Sequence, residues 1–173
     1  MAFTLEDGTG LATANAYVSV ADFRAYHADR GNDVVAQTDA EIQIAIIRAS
    51  DYIDRKNRGN FIGVRLRPPS TQRMSWPRSN AKYNDGTSAL GVPIEVEEAT
   101  NEYGFRALTI VLAPDPDYDD RNQKVTSKSE KVGPLEESTT YSGTGATFKF
   151  RKYPEVDALL RDLVLTGQEI RRI

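Results

Sequence analysis

TDAEIQIAIIRASDYIDRKNRG, residues 38–59, carries the clearest helical signal in the chain. Thr38 and Glu41 have the spacing of a capping box, in which each side chain satisfies a backbone N–H that the first helical turn leaves unpaired. Ile42, Ala45, Ile46, Ala49, Tyr52 and Ile53 then recur at three- and four-residue steps, giving one apolar stripe. Gly59 fits the C′ stop. Arg55, Lys56 and Arg58 sit where cations complement the negative end of the helix dipole.

Working outward, SVADFRAYHADRG (residues 19–31) predicts a shorter helix with Ser19 as N-cap, Asp22 three residues on and Gly31 just beyond its end. Val20, Phe23 and either Tyr26 or His27 would share its inner face. The leader EDGTGLATANAYVS, residues 6–19, reads as extended or turning chain. A third helix is expected with Pro93 at its first position, running to a stop at Pro114. Ala99, Tyr103, Ala107 or Leu108, and Val111 would line its core face, and Gly104 would mark a close crossing. A last helix is expected from Pro154, with a stripe of Val156, Leu159, Leu160, Leu163 and Val164. Between the third and last helices, KVTSKSEKV and LEESTTY flank Gly133-Pro134 and predict two paired strands, with TFKF as a candidate third.

The expected fold is mainly α: about four helices, a long basic loop and a β-hairpin arm. One domain spans residues 1–173, with the basic loop at 60–92, the polar arm at 114–152, and a C-terminal docking helix and tail at 153–173. Hydrophobic residues at 39% and charged residues at 27% suit a globular chain. No apolar run reaches the length of a membrane span, and MAFTLEDG has none of the features of a signal peptide.

Charge is unevenly distributed. Residues 55–82 hold eight Lys or Arg and no acid, against a net charge of −3, which leaves −11 for the rest. A basic zone on an acidic body orients the molecule toward a partner. Arg65, Arg67, Arg73, Arg78 and Lys82 lie outside regular helix, so dipole complementation does not explain them. They are candidates for a partner surface or for a channel facing DNA. Trp76, the only tryptophan, is expected to anchor the loop by burying its ring while its N–H finds a carbonyl.

Catalytic and metal chemistry find little support. There are no cysteines, and His27 is the only histidine. DPDYDD, from Asp115, opens like a calcium loop but has Asp120 where glycine is wanted and Thr126 where glutamate should chelate. GTGATF, residues 143–148, lacks the third glycine of a dinucleotide fingerprint. No catalytic, metal or cofactor residues are assigned, and the expectation is that the chain is not an enzyme.

The stretches LEDGTGLATANAYVSVADFRAYHADRG, IRASDYIDRKNRGNFIG, MSWPRS, VPIEVEEAT, SEKVGPLEE and YPEVDALLRDLV fall in the order seen in a tailed-phage and prophage family, over nearly the whole chain. That family is labelled DnaT-like single-stranded-DNA-binding, and its members resemble head–tail connector (adaptor) proteins. The resemblance implies a structural virion protein: a helical protomer of a ring, commonly of twelve copies, assembled in the host cytoplasm under the portal. Its partners would be further copies of itself, the portal, tail-side stopper or terminator proteins, and genomic DNA in the lumen. Val156, Leu159, Leu160, Leu163 and Val164 would dock on the portal. The alternative is a single-stranded-DNA-binding protein acting in replication, for which quenching of Trp76 fluorescence would be the signature.

Overall fold

The computed structural model describes residues 2–114, 125–131, 136–141 and 150–165. Four α-helices, α1 (Val20–Asp29), α2 (Asp39–Lys56), α3 (Ile94–Ala107) and α4 (Pro154–Leu159), dominate it, so the fold is mainly α with a β-hairpin. Two two-residue strands, β1 (Val64–Arg65) and β2 (Arg78–Ser79), pair antiparallel within the long loop. The hairpin consists of β3 (Val125–Lys131) and β4 (Glu136–Tyr141), also antiparallel. The chain divides into two units, Met1–Leu112 with Lys152–Ile173, and Ala113–Arg151. None of the described helices is long and apolar enough to cross a membrane.

Local signals explain the first two helices. The Ser19 hydroxyl accepts from the Asp22 amide, and Thr38 and Glu41 form the reciprocal capping box. Six α2 residues, Ile42, Ala45, Ile46, Ala49, Tyr52 and Ile53, are buried as one stripe. Each large aliphatic side chain so buried contributes about 1.5–3 kcal/mol relative to exposure. Asn57 caps the helix, so the left-handed Gly59 (φ +83°) stands one position later than a C′ stop. The stripe packs against Ala16, Val18, Phe23 and Val34, and α2 lies mainly along α3.

His27 lies in this core. Its Nε2 is 3.1 Å from the Asn101 carbonyl oxygen and its Nδ1 is 3.1 Å from the Asn32 amide nitrogen. Nε2–H donates and Nδ1 accepts, which requires the neutral ring, and burial lowers its pKa. This is a structural histidine, and its ring stacks edge-on against Phe23 at 4.5 Å.

Two helices differ from expectation. Pro93 is the N-cap of α3, and the helix ends at Ala107 well before Pro114. The Arg106 carbonyl takes the amides of both Thr109 and Ile110, closing a tight turn. Val111 consequently projects outward, 69% exposed, while Leu112 turns in. The last helix is only α4, followed by a 3₁₀ turn over Arg161–Leu163. Strand-like pairing stops it: Ile62 donates to the Leu163 carbonyl, Leu165 donates to that of Asn60, and Phe61 bridges Val164. Val156, Leu160 and Leu163 are buried within their own unit, with Leu159 and Val164 half-buried. Most of the stripe expected to dock on a partner is thus packed in the core of its own unit. The tail beyond Leu165, DPDYDD, GTGATF and all of TFKF but Phe150 lie outside the described residues.

The C-terminal segment is tied down by charge as well. Lys56 donates to Asp157 at 2.6 Å, and Tyr103 donates to the same carboxylate oxygen. Tyr52, Tyr103 and Tyr153 present their rings within 6 Å of the ammonium, a range in which each contact is attractive.

Gly104 marks the tightest approach between helices. A Cβ there would lie 2.8 Å from Phe23 Cε2. Helix propensity favours alanine by about 1 kcal/mol, whereas overpacking costs about 1–3 kcal/mol. Phe23 is fully buried and held against His27, so the steric term wins. Gly104→Ala should lower stability by about 1–2 kcal/mol, measured by urea unfolding; an unchanged or raised midpoint would contradict this packing.

Candidate functional site

A segment of some thirty residues without regular helix must still pair its buried backbone groups. Between residues 60 and 92 side chains do much of that. The buried Gln72 accepts from the Arg67 amide and donates to the carbonyls of Met74 and Pro77. Arg78 donates to four carbonyls, those of Ile62 and Gly63 at 2.7 Å and those of Phe61 and Ser75 at 3.3 Å. Trp76 is fully buried, edge-on to Phe61 at 5.7 Å. Its Nε1 has no hydrogen-bond partner among the described residues, contrary to the carbonyl expected for it. Packing against Phe61 and the Arg78 guanidinium holds the indole instead.

With the loop fixed in this way, a cleft of about 460 Å³ opens beside α2. Arg55 enters it from the last turn of α2, Arg58 from just beyond that helix, Arg65 from β1, and Arg73 from the loop; Asn15, Ser70 and Met74 also line it. Two carboxylates, Asp51 and Asp54, share the lining. Asp51 lies 3.7 Å from both Arg55 and Arg73. Arg58 and Arg65 make no ion pair among the described residues.

Asp54 is the most constrained group in the cleft. Its carboxylate accepts from the Tyr17 hydroxyl at 2.6 Å and from the Ser75 amide at 2.9 Å. The Tyr17 oxygen in turn accepts from the Trp76 amide at 3.2 Å. Desolvation pushes the Asp54 pKa up to about 6, against the lowering effect of these hydrogen bonds and of Arg65. Tyr17 is pushed well above its ordinary range, first by burial and then by the charge of Asp54. Near neutral pH the cleft therefore holds four guanidiniums against two carboxylates, and it becomes more positive as pH falls.

The five basic loop residues expected to act together are separated. Arg65 and Arg73 line the cleft. Arg67 is tied to the N-terminal segment by its Nε–H donating to the Thr9 carbonyl at 2.7 Å. Lys82 stands exposed in a separate turn, bridged to Ser88. Arg78, expected on a contact surface, is turned inward, and four of its N–H groups donate to loop carbonyls. Sequence reasoning missed Arg55, Arg58, Asp51 and Asp54 as a group. The spacing of Asp51, Asp54 and Arg55, at i, i+3 and i+4, was the available signal, since it puts them on one face of α2, with Arg58 just beyond the helix end.

The family model described as "Putative DnaT-like ssDNA binding protein" matches residues 1–172. The chain belongs to this family. No curated protein and no solved structure matches it significantly. The family match corrects the expectation of a tailed-phage head–tail connector: its description names single-stranded DNA, and nothing in it points to a portal, a neck, a virion or a dodecameric ring.

Asp54 gives the cleft a measurable signature. Because its folded pKa is raised from 3.8 to about 6, the folded state binds the extra proton between those values. Its favourable contribution is complete below pH 3.8 and is lost as pH rises through 6. Asp54→Asn removes that titration, so the difference in unfolding free energy between wild type and variant should shift by several kcal/mol at most across pH 4–7, with wild type losing ground as pH rises. Parallel profiles in urea titrations at several pH values would disprove it.

Proposed function

We propose that this chain binds single-stranded DNA without sequence preference, using the arginine cleft beside α2 to hold the phosphodiester backbone. The convergence of Arg55, Arg58, Arg65 and Arg73 on one cleft carries this reading. The chain is acidic overall, so a four-arginine concavity is not an average property of its surface. Membership in a family described by single-stranded DNA binding supports the same ligand. Guanidinium groups suit this role because their donors match phosphate oxygens in pairs.

The mode of binding follows from what lines the cleft. Phe61 and Trp76 are buried, and no aromatic side chain is among the lining residues. Base stacking, worth about 1–3 kcal/mol per base where it occurs, is therefore not part of the mechanism. Affinity comes from phosphate neutralisation and counterion release, which makes it modest and strongly salt-dependent. Asn15 and Ser70 supply neutral polar groups beside the arginines. The reading is of a binding protein, with no bond made or broken in the ligand.

Fluorescence anisotropy of a labelled oligo-dT tests it. With two to four phosphates engaged, the logarithm of affinity should fall against the logarithm of salt with a slope of about −1.5 to −3. Arg58→Glu with Arg65→Glu should weaken binding more than about tenfold at low salt, while circular dichroism stays unchanged. Intrinsic tryptophan emission should not respond to DNA, since Trp76 is sealed in the loop core. Absence of binding at low salt, or wild-type affinity in the double charge reversal, would defeat the reading.

A further inference from the structure

Asp51 occupies a position that an electrostatic description of the cleft leaves unexplained. Its carboxylate faces two arginines, Arg55 one turn along α2 and Arg73 from the loop, both at 3.7 Å. Each separation is that of an ion pair and is too long for a hydrogen bond. The Asp51 side chain is 40% exposed, so it reaches the open side of the cleft. Asp54, by contrast, spends its oxygens on Tyr17 and Ser75. One half-exposed carboxylate thus sits at ion-pair distance from two guanidiniums.

We infer that Asp51 stands in for a backbone phosphate in the free protein and is displaced from Arg55 and Arg73 when a nucleic acid strand enters. It is a built-in competitor, and it sets affinity by holding two of the four arginines in reserve. This rests on the reading that the cleft binds single-stranded DNA, and it assigns to Asp51 the role of limiting that binding. The arrangement follows from chemistry: a phosphodiester carries the same single charge as a carboxylate, and it offers oxygens that can take paired guanidinium donors. Arg58 and Arg65, which have no ion pair among the described residues, make the first contacts. Arg55 and Arg73 join by exchanging one anion for another.

The exchange limits non-specific adhesion. An isolated phosphate or a single carboxylate gains little over Asp51, whereas a strand that also engages Arg58 and Arg65 gains enough to displace it. The partners of Asp51 are exposed or half-buried, so each ion pair is weak by itself, and displacement needs no rearrangement of the core.

The test compares Asp51→Asn, Asp51→Glu and Asp29→Asn with wild type, using the full chain and a labelled oligo-dT over a salt series. Asp29 lies at the exposed end of α1 and outside the cleft lining, so its substitution changes net charge equally. Asp51→Asn should bind about three- to tenfold more tightly, with a salt slope steeper by about 0.7 or more, because a further phosphate contact becomes available. Asp51→Glu keeps the competing charge and should stay within about twofold of wild type, as should Asp29→Asn. Equal gains in Asp51→Asn and Asp29→Asn would make the effect one of net charge, and a gain in Asp51→Glu would remove charge as its cause; either result overturns the role of Asp51 while leaving DNA binding intact. Wild type and Asp51→Asn binding alike overturns it too. Failure of every variant to bind at low salt overturns the DNA reading and this inference together.

Discussion

The guanidinium of Arg78, donating to the carbonyls of Phe61, Ile62, Gly63 and Ser75, is the contact on which the architecture of the loop depends. A long segment rich in proline and glycine cannot satisfy its backbone through helix or sheet, and a buried unpaired carbonyl costs about as much as a lost hydrogen bond. One planar cation with five donors resolves several such groups at once. Gly63 makes the geometry possible, since a Cβ there would stand 2.5 Å from the Ser79 carbonyl oxygen. With that junction closed, Trp76 is sealed against Phe61, the Ser75 amide meets Asp54, and Arg73 is delivered to the cleft.

Function and stability are therefore layered in the same stretch of chain. The side chains that fix the loop, Gln72, Trp76 and Arg78, turn inward, and those that line the cleft, Arg65 and Arg73, alternate with them along the sequence. Asp54 belongs to both layers, because its oxygens hold the loop amide and the Tyr17 hydroxyl while its charge tempers the arginines. On the proposed reading the ligand is single-stranded nucleic acid held by its backbone, and the buried indole offers no stacking platform.

Much of the helical framework was legible in the sequence because its signals are local. The capping box at Thr38 and Glu41 and the α2 stripe each follow from neighbours a few residues apart, and the glycine at 104 signals a close crossing without naming its partner, Phe23. The end of α4 was not legible because a partner from elsewhere sets it, Phe61 drawing Val164 into a bridge; α3 ends in a local turn gathered by the Arg106 carbonyl, which no glycine or proline at that point announces. The site was read in part. Charge counting located the basic zone, but composition says nothing about which cations face outward, so Arg78 was grouped with Arg65 and Arg73. Arg55 and Arg58 had a sufficient local explanation in the helix dipole, which concealed their place in the cleft. The connector reading rested on motif order across the chain, and the family match assigns those motifs to a group described by its ligand.

The bond between Lys56 and Asp157 joins residues 101 positions apart, and it ties down the last turn of α2, which carries Arg55. Folding of this unit thus waits on a late-synthesised segment: during translation α1 to α3 can collapse early, but the tyrosine-lined ammonium has no carboxylate to meet until Asp157 has emerged. Closing so long a loop is slow compared with helix formation. The last turn of α2, where Arg55 sits, is accordingly pinned by a contact of long sequence separation, whereas its first turn is fixed by the local capping box.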